Sequence, residues 1–350
     1  MEPRLIVAAD ADLEGIALFQ QRCFDGHAGE AEWAAVQTSD YYLWKYTLLQ
    51  PARIAELRCN GRLVAMCAAF PVQLSVGRGP VTGWQICDIA TTPSERRKGF
   101  FKACMAVLAE GLPSSDVFFG FPNSHSAPQL AAIGWRSVDT LSPFAGVIHH
   151  RTAIGTVRRV DRFGDAQDLL VRSVAPSDRL QIIRSSAYMN ARYCSALRPV
   201  NSCYVVRNGA EDCGWIVLRT LRLFGVKVSV IMDAFAVDAV AQRSLIRHAG
   251  FWSRQQGCFA TVSFNNQWRA GPVAVRLDRD SASDDAAPVG PHGLRRTCVG
   301  HRSLAFSRRR LGRSVTPAAA RGRTTAKARR DVSGPVSELA SKGGLSITSI

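Results

Sequence analysis

Residues 88–108 read DIATTPSERRKGFFKACMAVL, and their order decides how the chain is built. Trp84, Ile86, Ile89 and Ala90 mark an apolar run that reads as a strand ending at this stretch, and Phe100 to Glu110 has the composition and spacing of a helix. Arg96, Arg97, Lys98 and Gly99 therefore sit at a strand-to-helix turn. The first amides of a helix have no partner within the helix, and its dipole is positive there, so such a turn attracts phosphate. Three cations add to that attraction, and Gly99, without a Cβ, tolerates positive φ and a close approach.

Working outward, RLIVAADADLEGIALFQQRCF (4–24) reads as a strand and then a helix capped by Asp10 or Asp12, with Leu13, Ile16, Ala17, Phe19 and Cys23 at near-helical spacing. Residues 55–90 read as strands separated by Asn60-Gly61, by Gly77 to Pro80 and by Gly83, with Asn-Gly the strongest hairpin signal. DVFFGFPN (116–123) is a further strand, and SAPQLAAIGWRSV (126–138) a short helix ending at Gly134 before another strand.

The second half echoes the first. YYLWKY (41–46) is followed by Pro51 and YMNARY (188–193) by Pro199, with Lys45 and Arg192 separated by 147 positions. ICDIA and IMDAFA place Asp88 and Asp233 145 apart, and the strands ending at Asn123 and Asn266 are 143 apart. Three landmarks in one order at nearly one offset indicate a duplicated domain. The echo lacks the loop, since AFAVDAVAQRSLIRHAG follows Asp233 with no basic, glycine-bearing turn.

The net charge of +16 divides unevenly. Residues 1–266 hold 28 Lys and Arg against 22 Asp and Glu, whereas 267–350 hold 16 against 6. That last stretch is rich in Arg, Ala, Ser, Gly and Pro without a sustained period, so it is expected to be disordered. Arg308, Arg309 and Arg310 suit a nucleic-acid tether, but the break falls where the repeat calls for a helix and a strand, which favours an out-of-frame or unrelated end and makes nucleic acid an unlikely partner. The ten cysteines show no CxxC and no zinc-finger spacing, so no metal is expected and buried free thiols in a reducing compartment are. Acids at 2, 10, 12 and 14 stand where a signal peptide needs its apolar core, and no stretch has the length of a membrane span, which reads as a cytoplasmic protein with no membrane partner.

DIATTPSERRKGFFKACMAVL resembles the acyl-CoA-binding motif of the GNAT superfamily of N-acetyltransferases. Arg96 takes the Arg/Gln place, Gly99 the first glycine place, and Phe101 stands where Gly or Ala is more usual. FPNSHSAPQLAAIGW is similar to the superfamily's next motif, with Asn123, Gly134 and Trp135 at its marked positions. The resemblance covers most of residues 1–150. It implies a GNAT-like α/β (α+β mixed) fold with a central, mostly antiparallel sheet flanked by helices, duplicated in tandem: 1–150 the acyl-CoA-binding domain, 151–266 a degenerate, truncated second copy, and 267–350 an Arg-rich disordered tail.

The function implied is transfer of an acetyl group from acetyl-CoA to a primary amine of a small molecule, an amino sugar being one candidate, by direct attack. In this reading the backbone of Arg97, Lys98, Gly99, Phe100 and Phe101 holds the pyrophosphate, with Arg96 beside it. Ile89 and Thr91 pair with the pantetheine arm, and Asn123 binds the cofactor nearby. Asp88 is the base candidate, an acid in an apolar strand; its structural reading, a loop cap or a partner for Arg, is favoured by Asp233 in the loopless copy. The usual acid is a Tyr seven residues beyond the motif's Asn, where this sequence has Leu130, so His125 and Ser126 are the substitutes. Tyr41, Tyr42, Trp44 and Tyr46 wall an acceptor pocket or pack a core, the second favoured by Tyr188 and Tyr193 in the echo. A noncatalytic CoA-binding scaffold is the rival reading, and a homodimer is compatible with the sequence.

Overall fold

The computed structural model describes residues 2–24, 37–75, 79–113, 116–123, 125–137, 144–147, 156–173, 181–197, 200–223, 225–264, 268, 274–276 and 296–298. A first sheet is built from β1 (Arg4–Val7), β2 (Arg53–Cys59), β3 (Arg62–Ser75), β4 (Pro80–Thr91) and β5 (Val117–Gly120), adjacent in that order. All neighbours are antiparallel except β4 and β5, which run parallel. Asn60 and Gly61, at φ of 50° and 76°, close the β2–β3 hairpin as the sequence required. Gly83 does not break a strand, as expected, but lies inside β4. A Cβ there would come within 2.3 Å of Leu74 and 3.1 Å of Phe119, so the glycine admits their side chains.

Helices α1 (Leu13–Phe24) and α2 (Ser39–Tyr46) cover one face of this sheet, and α3 (Phe100–Glu110) and the short α4 (Ala127–Ala131) the other. Asp12 caps α1, its Oδ1 accepting from Gly15 N at 2.8 Å. Cys104, Met105 and Leu108 of α3 pack with Ala65, Cys67 and Trp84; a fully buried Met or Leu contributes about 1.5–3 kcal/mol. β6 (Trp135–Ser137) follows α4 after Gly134, whose φ is 89°.

A second sheet joins β7 (Phe144–Val147), β8 (Val157–Val160), β10 (Asn201–Asn208), β11 (Glu211–Leu223), β12 (Val226–Ala236), β13 (Ala260–Ser263) and β14 (Ala274–Arg276), in spatial order β14-β7-β13-β12-β11-β10-β8. Within it, β8-β10-β11-β12-β13 follow one another as β1 to β5 do, again antiparallel up to one parallel pair, β12 and β13. α5 (Asp165–Ser173) and α6 (Ser186–Tyr193) face inward and α7 (Ala239–Gln255) outward. β9 (Gln181–Ile182) crosses over to pair with the end of β3.

One core joins the halves. Phe19, Tyr42, Tyr46, Met66 and Phe70 pack in the same cluster as Tyr188, Met189, Trp215 and Val217. The aromatic run of α2 therefore packs in the core, Tyr42 and Tyr46 being fully buried. Within the stretch after residue 266, Ala274–Arg276 pairs with β7 and β15 (Arg296–Cys298) with β6. Arg308, Arg309 and Arg310 lie outside the described residues.

Candidate functional site

The parallel pairing of β4 and β5 ends at Ile86 and Gly120, while β4 continues to Thr91. Beyond Ile86, β3 is the one strand that pairs with β4 among the described residues. The register steps from Ala68–Cys87 to Met66–Ala90, so Asp88 and Ile89 together oppose Cys67 as a bulge. Asp88 takes φ of 49°, a left-handed conformation that Asp visits more readily than most residues.

After β4 a short turn at Pro93–Glu95 leads to Arg96, to Arg97 at φ of 66°, and to Gly99 at φ of 81°. Gly99 is the N-cap of α3 and supplies no side-chain cap. The first bond here runs from Ala103 N to Gly99 O at 3.0 Å, so the N–H groups of Phe100, Phe101 and Lys102 have no protein acceptor among the described residues. A Cβ at Gly99 would meet nothing within 4 Å, so its surroundings are open. This is an anion cradle, with Arg97 exposed beside it. Arg96, however, turns back, donating to Thr91 O at 3.3 Å and Cys23 O at 3.1 Å, and Lys98 pairs with Glu95 at 2.9 Å. Two of the three cations thus shape the loop. Phe101, at the place of the more usual small residue, lies in the first turn of α3 and packs partly buried against the core on that face.

Asp88 is not exposed at the end of this groove. Its carboxylate is held by Lys45 Nζ at 2.8 Å and by Tyr46 Oη at 2.9 Å, and its carbonyl accepts from Gln20 Nε2 at 3.1 Å. The Lys45 and Asp88 side chains are only 5% and 10% exposed. Burial alone would depress the Lys45 ammonium, and the Asp88 carboxylate more than offsets it, so the lysine is held above its ordinary pKa. Burial, then the charge of Asp88, pushes the Tyr46 phenol up. Lys45, Tyr46 and Gln20 were not singled out for this site from sequence. The signal was present, for the repeat set Lys45 beside Arg192 and Asp88 beside Asp233.

Asn123 is committed to its own turn: Oδ1 accepts from the amides of His125 and Ser126 at 3.0 and 2.9 Å and from Ser126 Oγ at 3.0 Å. Ser126 Oγ also accepts from Asn123 N at 3.0 Å, and His125 is exposed. No hydrogen bond or ion pair links Asp88 to either of them, so the three residues expected to share the chemistry form two separate groups. Leu130 is 2% exposed and packs with Met105, Leu108 and Trp135. Burial pushes the Cys23 thiol up to about 11 and Cys104 up to about 12, which leaves both un-ionised near neutrality.

The second sheet has the equivalent places with other chemistry. Asp233 is bound by Arg184 Nε at 2.8 Å and Trp215 Nε1 at 3.0 Å, again beside a bulge, between Val217 and Leu218. The start of α7 is capped: Asp238 Oδ1 accepts from Val240 N at 2.8 Å and Ala241 N at 2.7 Å. No free amide cradle exists at the latter helix start.

The first sheet thus combines a parallel strand pair that parts beside a helix start with an otherwise antiparallel order and helices on both faces. Residues 4–136 match the family model "Acetyltransferase (GNAT) domain", so that stretch is similar to a GNAT domain. A probable N-acyltransferase from Enterococcus faecalis is similar in structure, with TM-score 0.55 and 16% identity over 79% of this chain and 70% of that one. N-Myristoyltransferase from Saccharomyces cerevisiae, solved with bound myristoyl-CoA, gives 0.49 and 11% over 75% and 73%. A GCN5-related N-acetyltransferase from Anabaena variabilis gives 0.49 and 13% over 74% and 65%. No curated protein matches the sequence. No helix among the described residues is long and apolar enough to cross a membrane.

Proposed function

We propose that the protein transfers an acetyl group from acetyl-CoA to a primary amine of a small molecule. The observation that carries this reading is the uncapped start of α3, placed at the end of a strand edge that β5 has left. Acetyl-CoA fits there: the amides from Gly99 to Lys102 suit its pyrophosphate, and the exposed Arg97 adds charge. The free edge of β4 at Ile89 and Thr91 suits the amides of the pantetheine arm. The amine nitrogen attacks the thioester carbonyl, a C–N bond forms, the C–S bond breaks, and the thiolate leaves with a proton from the medium or from a side chain.

Asp88 is better read as an anchor than as the base, since its carboxylate already neutralises a buried ammonium. Ser126 serves the Asn123 turn and Asn123 shapes the rim, which leaves His125 as the ionisable side chain for proton exchange there. A CoA thiolate departs readily enough for Leu130 to slow transfer without abolishing it. The second half we read as a duplicated GNAT-like copy that kept the sheet and lost the cradle.

The rival, a CoA-binding scaffold without turnover, is favoured by the burial of Leu130 and the locked Asp88. Acetyl-CoA offered with a panel of amines separates the two: thiol release that saturates with one amine supports transfer, and tight binding with no release from any amine supports the scaffold.

A further inference from the structure

Helix α2 touches both halves with consecutive residues. Trp44 Nε1 donates to the carbonyl of Ala191 in α6 at 2.8 Å, while Lys45 and Tyr46 hold the carboxylate of Asp88. The contact with the second half is self-matching, because α2 and α6 occupy equivalent places. Their N-caps, Thr38 and Ser185, are 147 positions apart, as are Trp44 and Ala191, and each cap accepts from the amide three residues on. Tyr41, Tyr42 and Tyr46 share one buried cluster with Tyr188, Met189 and Tyr193. The second half also adds β9 to the edge of β3, with Ile183 N bonded to Gln73 O at 2.8 Å.

Asp88 has a left-handed backbone conformation that few non-glycine residues adopt. Three side chains, Lys45, Tyr46 and Gln20, bind it from α2 and α1. We propose that the second half is a positioning element of the first site: it holds α2, and α2 holds Asp88 in the bulge that sets the course of Ile89 to Thr91. Asp88, Lys45, Tyr46 and Trp44 are then positioning residues, and the loopless half is retained for what it braces. The part of this inference that concerns turnover rests on the acyl-transfer reading; the part that concerns the strand does not.

The test uses the full chain and the variants Trp44→Phe, which replaces the indole N–H by a smaller aromatic ring, and Tyr46→Phe, which removes only the hydroxyl. Amide hydrogen exchange is followed over residues 86–92 and over the matching stretch 229–236. Exchange at 86–92 should rise several-fold in both variants while 229–236 stays as in the wild type. In parallel, kcat should fall about 3- to 10-fold with the acetyl-CoA Kd within about twofold, the effect of a misplaced reacting strand beside an intact cradle. Unchanged exchange at 86–92 in either variant overturns the inference, as does an equal rise in both stretches, which reports lost stability alone. Wild-type protein that binds acetyl-CoA without releasing thiol removes the acyl-transfer reading and leaves the exchange result to decide the inference. Should Trp44→Phe not fold, Tyr46→Phe carries the same comparison.

Discussion

The starts of α3 and α7 occupy the same place in two sheets of the same order, and they meet opposite electrostatic conditions. At α7 the carboxylate of Asp238 satisfies two amides from within the chain and would repel an incoming anion. At α3 the cap is a left-handed glycine with no side chain, preceded by a loop that presents Arg97. The difference teaches that the sheet alone does not make the site. One residue at a helix start decides whether its amides are kept for the fold or left for a ligand.

The comparison can be broken first at the two buried acids. Asp88→Ala leaves the buried Lys45 ammonium without its carboxylate, and we expect a stability loss of about 3–5 kcal/mol by denaturant unfolding. Asp233→Ala should cost less, because the Arg184 side chain is 18% exposed against 5% for Lys45, and it should leave the acetyl-CoA Kd unchanged. Equal losses would mean that the two anchors do not differ as drawn. At the helix starts, Asp238→Ala should cost about 0.5–2 kcal/mol and confer no acetyl-CoA binding on the second half, since that start lacks the basic turn.

His248 sharpens the contrast from the far side of the second sheet. Its ring packs on Tyr204 with a centroid separation of 4.3 Å, and both nitrogens lack a hydrogen-bond partner among the described residues. Burial lowers its pKa from 6.5 to about 4. The folded value is the lower one, so the unfolded chain takes up the proton first. Stability from this group is complete above pH 6.5 and drains away as the pH falls towards 4. His248→Phe should flatten that acid limb and, by removing unsatisfied polar atoms, stabilise the protein by about 1 kcal/mol near neutrality. An unaltered limb in thermal melts from pH 7 to 4 would contradict this. The smallest effect belongs to Arg97→Gln, expected to weaken acetyl-CoA binding about twofold at low salt and less at high salt.

Local signals were the legible part of the sequence. Asn60-Gly61, the cap at Asp12 and the helix from Phe100 follow from spacing and turn chemistry, and the fold class follows from their order with the motif at 88–108. What the sequence hid was long-range. Gly83 reads as a break until Leu74 and Phe119 are seen filling its Cβ space. Asp88 reads as a base candidate or a structural acid, and the lysine 43 residues earlier that lies beside it could not be located from spacing. The carbonyl that binds Arg96 and the carboxylate that binds Lys98 were equally out of reach. The repeat set a basic residue and an acid at matching places in both halves, yet in the second the acid's partner is Arg184 rather than Arg192. Pairing depends on the side-chain path, which an offset does not encode.

The central claim is that the uncapped start of α3 binds the cofactor. Calorimetric titration of acetyl-CoA into the full chain and into its Gly99→Glu variant tests it most directly, because the variant adds bulk and negative charge at a left-handed position. The account predicts saturable binding by the wild type and none by a folded Gly99→Glu. Equal affinity in the two, or no binding by a folded wild type, would contradict it and leave Arg96 to Gly99 as a basic turn without a ligand.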